Sequence, residues 1–258
     1  MRAREGASGH AMKVAVISDI HANRQAFEAT LEAVAASDAT ELWCLGDLVG
    51  YGADPDACVE LAREHVAVCL AGNHDMAVTG EIPLDEFSRG ASLAAQWTRE
   101  VIAPGNLEFL AGLRPEGREQ AGGEPLGLYH ASPRDPVWEY VLSTLLAELC
   151  LDRQPARVCL VGHSHVALSF ARHEGEPATG EPRRAGTHLA IADGEWLLNP
   201  GSVGQPRDGD PRASWLLLDL DEPAVSFMRT EYDVAGAAGA IRAARLPDSL
   251  AERLEYGQ

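Results

Sequence analysis
The stretch KVAVISDIHAN, residues 13–23, decides the fold. Its first part, Lys13 to Ser18, is short, apolar and β-branched, the pattern of a buried strand. Asp19 and His21 follow at once, so the strand delivers polar side chains at its carboxyl end. Asn23 then suits a helix cap, because its side-chain oxygen can accept from a free N–H of the first turn. Phe27, Leu31 and Val34 recur at helical spacing and carry that helix to about Ala36.

The same unit repeats. ELWCLG (41–46) predicts a strand ending at Asp47, and Asp54-Pro55 supplies a cap with proline at the first helical position. HVAVCLAG (65–72) predicts a third strand, ending at Asn73-His74-Asp75. A β-α-β-α-β order favours parallel pairing, which puts the three polar exits on one sheet edge. Residues 83–113 read as a helical, cap-like insertion, with Leu93, Ala94, Trp97 and Val101 in one stripe and Pro104-Gly105 as a break. Beyond it the chain turns strand-rich, with strands expected at 126–131, 157–162, 166–172, 187–191, 195–199, 214–220 and 224–231. Helices are expected at 143–151 and over 234–254. HEGEPATGEPRRAG (173–186) has no periodicity and reads as a surface hairpin loop. The polar start, 1–12, reads as a flexible N-terminal extension, and 13–258 as a single domain.

With 46% hydrophobic residues in 258, the chain can bury a sizeable core. A net charge of −18 repels a nucleic-acid backbone, which excludes bulk nucleic-acid binding but not a small anionic substrate. Cys44, Cys58, Cys69, Cys150 and Cys159 form no C-x-x-C pair and read as reduced packing residues. No apolar run approaches the about 20 residues needed to cross a bilayer, and the start lacks the apolar middle of a signal peptide. The expected location is therefore cytoplasmic, with no membrane partner.

The chemistry lies in polar clusters that follow apolar runs: Asp19-x-His21, Gly46-Asp47, Gly72-Asn73-His74-Asp75, His130 and Gly162-His163-Ser164-His165. Phosphoester hydrolysis at neutral pH needs a strong nucleophile and neutralisation of charge on phosphoryl oxygens, and a dinuclear metal centre supplies both. In an extended exit, residues two apart point the same way, so Asp19 with His21, and His163 with His165, can share a pocket. Imidazole mixed with carboxylate suits Mn, Fe, Zn, Ni or Co rather than Ca or Mg. Glycines 46, 72 and 162, each before a candidate ligand, allow sharp turns or close approach.

In this order the blocks resemble the calcineurin-like metallophosphoesterase superfamily, whose motifs run D-x-H, G-D, G-N-H-[D/E], H and G-H-x-H. The resemblance extends from Lys13 to about Tyr232, and GDLVGYG, HASPRDPVWEY and NPGSVGQPRDGDP look like its small bacterial and archaeal phosphoesterase branch. It implies an α/β fold, a four-layer α/β/β/α sandwich of two mixed sheets with the metals at the carboxyl ends of central strands. It implies that Asp19, His21 and His165 bind one metal, that Asn73, His130 and His163 bind a second, and that Asp47 bridges them. A metal-bridging hydroxide would attack phosphorus, while His74, outside the ligand set, assists the leaving oxygen and Asp75 orients its ring. Two divalent ions, Mn foremost, are the implied cofactors, and a nucleotide or small phosphoester the implied substrate of a phosphodiesterase or phosphatase.

One departure matters. Protein phosphatases resembling this pattern read G-D-x-V-D-R-G in the second block, whereas here Gly50-Tyr51 stands in place of Asp-Arg, which argues against that activity. Asn23, Tyr51, Arg134 and Arg207 are the candidates for substrate contact, since a planar guanidinium suits phosphate oxygens. Two other classes compete: a non-catalytic metal-binding scaffold for protein partners, against which the intact ligand set argues, and a metal hydrolase of non-phosphate bonds, whose H-x-H would come early. Singly, Asp19 reads as a helix cap, His130 as a core histidine and Asn73 as a turn residue; the ordered set favours the joint reading.

Overall fold
The computed structural model describes residues 12–121 and 124–258. In the first half, β1 (Lys13–Ile17), α1 (Arg24–Ala35), β2 (Glu41–Cys44), α2 (Pro55–His65) and β3 (Val68–Cys69) are followed by α3 (Asn73–Thr79), α4 (Arg89–Val101) and α5 (Pro104–Gly112). In the second half come β4 (Glu116–Ala121), β5 (Glu124–Tyr129), α6 (Thr144–Arg153), β6 (Val158–Val161), β7 (Ala167–Arg172), β8 (Thr179–Pro182), β9 (His188–Ala190), β10 (Glu195–Pro200), β11 (Ala213–Asp219), β12 (Ala224–Thr230), α7 (Val234–Ala243) and α8 (Asp248–Tyr256). The expected N-terminal extension lies outside the described residues except for Met12. That residue is tied in, its N–H donating to Asp221 Oδ2 at 2.6 Å.

The strands form two mixed six-stranded sheets, ordered β3-β2-β1-β11-β12-β9 and β4-β5-β6-β10-β7-β8. β1, β2 and β3 pair in parallel, as the repeated β-α unit predicts, and so do β5, β6 and β10. Period-two alternation explains the layering. Val14 and Val16 of β1 pack with Leu160 of β6 and Leu198 of β10 between the sheets. Ala15 and Ile17, on the opposite face, pack under Phe27 of α1 and Val59 of α2. Cys159, Val161 and Leu197 turn outward onto α6 residues Ala147 and Leu151, completing the four-layer α/β/β/α arrangement. The cysteines are free thiols, and all but Cys69 are buried. No helix among the described residues is long and apolar enough to cross a membrane.

Three elements differ from the sequence reading. β8 lies inside the stretch read as a loop; all four of its residues are exposed, so its pattern carries no apolar face, and it is held by pairing with β7. β4 is likewise an edge strand, held against β5. α3 begins on Asn73 itself, with its Gly72 cap completed by Asp75. Segment 83–113 contains α4 and α5; Ala95 of α4, Ile102 at its C-cap and Leu110 of α5 are buried over the outer face of the first sheet.

Candidate metal centre
The carboxyl ends of β1, β2, β3, β5 and β6 meet where the two sheets come together. Asp19 N donates to Gly46 O at 3.0 Å and Gly162 N to His130 O at 2.7 Å. Between the sheets, His163 N donates to Asp19 Oδ2 at 3.1 Å. The exits are not extended, which corrects the period-two argument for the paired ligands. Asp19, His21, Asp47, His163 and His165 have φ of 56°, 52°, 56°, 63° and 59°. That left-handed region is uncommon for residues with a Cβ, and its cost of about 1–3 kcal/mol each persists only where surrounding structure overdetermines it. Here His21 N donates to Asp47 O at 2.9 Å, Gly204 N to Asp19 O at 2.9 Å and Arg207 N to His165 O at 3.0 Å. Close approach explains two glycines: a Cβ on Gly72 would stand 1.9 Å from Asp47 Oδ1, and one on Gly162 would stand 2.0 Å from Ser18 Oγ.

Three groups of donors result. Asp19, His21 and His165 bring their ligand atoms within 4.8 Å of one another, so do Asp47, His130 and His163, and so do His21, Asp47 and His74, a group that overlaps both. In the first, His21 Nε2 lies 3.0 Å from His165 Nε2, and Asp19 Oδ1 lies 3.5 Å from His165 Nε2. In the second, Asn73 Oδ1 lies 3.2 Å from His130 Nε2. Asp47 Oδ2 stands between them, 3.6 Å from His21 Nε2 and 3.5 Å from His130 Nε2. The opposite ring nitrogens are fixed by backbone carbonyls: His21 Nδ1 by Val49 O at 3.1 Å, His130 Nδ1 by Leu45 O at 2.9 Å and His165 Nδ1 by Gln205 O at 2.6 Å. Such outer bonds orient an imidazole so that its Nε2 faces a metal.

The donors fit divalent cations. Asp19 Oδ1, Asp47 Oδ2 and His163 Nε2 are buried with no hydrogen-bond partner among the described residues, and a buried polar atom without one is costly unless a ligand meets it. Burial raises the Asp19 carboxyl to about 7 and drives Asp47 well above its usual range, so the charged form of each would gain from a cation bound there. Burial also drives His21, His163 and His165 far down, leaving them as the neutral imidazoles that ligate metal.

The remaining candidates divide. His74 is buried beside the donors, its ring 4.8 Å from that of His21, 4.4 Å from Tyr51 and 5.0 Å from Phe87, with Nδ1 unpartnered among the described residues. Gly50 makes room for it, since a Cβ there would lie 2.4 Å from His74 Nδ1. Asp75 does not orient that ring: its carboxylate accepts from the backbone N–H of Leu48, Val49 and Gly72 at 3.2, 3.1 and 2.9 Å, holding the turn that carries Asp47. Asn23 caps α1 through Ala26 N at 3.1 Å, donates to Gly204 O at 2.8 Å and lines a small cavity with His21 and Tyr51. Arg134 pairs with Glu139 at 3.3 Å rather than joining the cage. Tyr51 and Arg207 do reach it: the Tyr51 ring lies 4.6 Å from that of His21, and Arg207 Nη2 donates to Tyr51 Oη at 3.3 Å.

Sequence reasoning missed three neighbours. The Tyr140 ring lies 4.1 Å from that of His163. Gln205 Oε1 accepts from Arg207 Nη2 at 2.9 Å and from Arg253 Nη1 at 3.3 Å. Tyr140 and Gln205 fall inside the noted stretches HASPRDPVWEY and NPGSVGQPRDGDP, but no signal marks Arg253, which comes from α8.

Known proteins resemble this chain in sequence and fold. An uncharacterized protein of Methanocaldococcus jannaschii is 37% identical over 252 residues, covering 95% of this chain and 98% of that one. A solved metallophosphoesterase from Sphaerobacter thermophilus is 39% identical with a TM-score of 0.84, covering 96% of this chain and all of its own. A hypothetical protein from Pyrococcus horikoshii shares the fold at 20% identity and a TM-score of 0.79, covering 96% of this chain and 99% of its own. The calcineurin-like phosphoesterase superfamily domain matches residues 12–223, and with it the chain belongs to that family.

Proposed function
We propose that this chain is a hydrolase of small phosphoesters or nucleotides, foremost a phosphodiesterase, working with two divalent cations. The carrying observation is the position of Asp47 Oδ2, unpartnered among the described residues and about equally far from His21 Nε2 and His130 Nε2. Asp19, His21 and His165 would hold one cation, Asn73, His130 and His163 the other, with Asp47 shared. When bound, such a pair neutralises phosphoryl oxygens and acidifies water for attack on phosphorus.

The chain's own residues supply the rest. Arg207 places its guanidinium over the Tyr51 ring, 5.6 Å from the centroid, where it can receive phosphate oxygens. His74 faces the leaving group. Burial lowers its pKa to about 3, so its ring is neutral and offers one N–H to the departing oxygen. Phe87 and Tyr51 flank that ring and limit water around it.

The test is metal content and turnover together. Protein loaded with manganese should hold two ions per chain and hydrolyse bis-p-nitrophenyl phosphate or p-nitrophenyl phosphate. Two bound ions with no turnover across phosphoester and nucleotide panels would refute the enzymatic reading.

A further inference from the structure
Beside the cage stands a group of donors that metal binding does not use. Arg207 and Arg253 both donate to one neutral acceptor, Gln205 Oε1, so two like charges are held side by side. Neither has a carboxylate within ion-pair distance among the described residues, although this chain carries 39 acids against 21 bases. Arg134, Arg172, Arg212 and Arg229, by contrast, each have one. Gln205 is 1% exposed, and the two arginines fix its oxygen toward themselves, so its amide orientation is not arbitrary. Its Nε2 and the Nε of Arg207 are buried donors without an acceptor among the described residues.

Two cations and two unused donors in one place call for a ligand rich in acceptors and negative charge. The assembly is rigid enough to serve. Leu250, Ala251 and Leu254 anchor α8 against Tyr51, Ala237 and Ile241. Gly209 N donates to Gly257 O at 3.0 Å, tying the end of α8 to the loop that carries Gln205 and Arg207. Leu254, next to Arg253, lines a small cavity with His21, Tyr51 and Gln205, so the helix end borders the metal ligands directly. Arg207, which also donates to the Tyr51 hydroxyl, connects this group to the cage.

We propose that Arg207, Gln205 and Arg253 form an anion subsite beside the cage, binding a second phosphate joined to the phosphoryl group being hydrolysed. The substrate class is then a nucleotide carrying adjacent phosphates, such as a nucleoside diphosphate, rather than an isolated monoester or simple diester: water adds to the terminal phosphorus, the P–O–P bond breaks, and inorganic phosphate and the nucleoside monophosphate are the products. Arg207 contacts both the reacting phosphate and its neighbour, and Arg253 contacts only the neighbour. This rests on the phosphoesterase reading above.

ADP and AMP differ by that one phosphate and serve as probes in calorimetric titrations of the manganese-loaded full chain, ADP in the form whose P–O–P oxygen is replaced by a methylene group so that it is not hydrolysed. The parent should bind ADP at least about tenfold more tightly than AMP, the size of one charge-assisted hydrogen bond. Arg253→Ala should lower that ratio severalfold, because only Arg207 and Gln205 then remain for the second phosphate, while Arg253→Lys, which keeps the charge, should restore part of it. Metal content and thermal unfolding are measured on each variant, so a misfolded Arg253→Ala is recognised and the decision passes to Arg253→Lys and Arg253→Gln. If lysine and glutamine behave alike, or if the parent does not discriminate ADP from AMP, the subsite is refuted. A parent that discriminates but hydrolyses no phosphoester would refute the enzymatic reading and leave the subsite standing.

Discussion

Substituting Gly50 by alanine tests how the site holds His74. Gly50 has φ of 92°, and a Cβ there would stand 2.4, 2.9 and 3.0 Å from His74 Nδ1, Cγ and Cβ. Carbon–nitrogen contact needs about 3.5 Å, so the ring or the loop must move by about 1 Å. The ring has little room to retreat, with His21 at 4.8 Å, Tyr51 at 4.4 Å and Phe87 at 5.0 Å between centroids. A displacement of that size at a reacting group lowers turnover by about a hundredfold. Overpacking adds about 1–3 kcal/mol of destabilisation, and the left-handed backbone about 1–2 kcal/mol more. The three nearest atoms to a Cβ on Gly50 all belong to His74 and none to the proposed metal ligands, so two ions should remain. Turnover of bis-p-nitrophenyl phosphate, metal content by mass spectrometry and urea unfolding read the three effects. A Gly50→Ala enzyme with the parent's kcat would refute the role given to His74, and one with lost metal would show that Gly50 supports the cage instead.

Asp47→Ala should lose bound metal, whereas His74→Ala should keep both ions and lose about 10²–10⁴-fold in turnover; equal metal loss in both would make His74 a ligand. Asp75→Ala leaves three backbone N–H groups at Leu48, Val49 and Gly72 without their acceptor, so unfolding free energy should fall by about 3 kcal/mol or more, and an unchanged urea midpoint would contradict that accounting. Arg134→Ala should leave kcat/KM unchanged, because its side chain faces Glu139; a raised KM would return it to the substrate site. Manganese at about a thousandfold above Kd should stabilise the fold by about 4 kcal/mol, read as a rise in melting temperature that a chelator reverses.

The strands that carry the cage were legible because each is a continuous apolar run cut off by a polar residue, a signal contained within ten residues. KVAVIS, ELWCLG and RVCLVG all became strands whose ends hold Asp19, Asp47 and His163. β8 was not legible, since an edge strand exposed on every residue has no face to pattern. Nor was the left-handed backbone at the ligands: Asp and His rarely adopt it alone, and it is imposed by bonds from neighbouring exits.

Sequence by itself determined the parallel β-α core and which residue types could ligate metal, because both follow from local pattern and side-chain chemistry. Tertiary structure decided how those residues are used. It gave Asp75 to a backbone turn and Arg134 to Glu139, each by placing a hydrogen-bond or ion-pair partner beside the side chain. It also brought Arg253 from the last helix to Gln205, a contact that no local pattern encodes, because packing of α8 against Tyr51 and α7 fixes where that side chain lies.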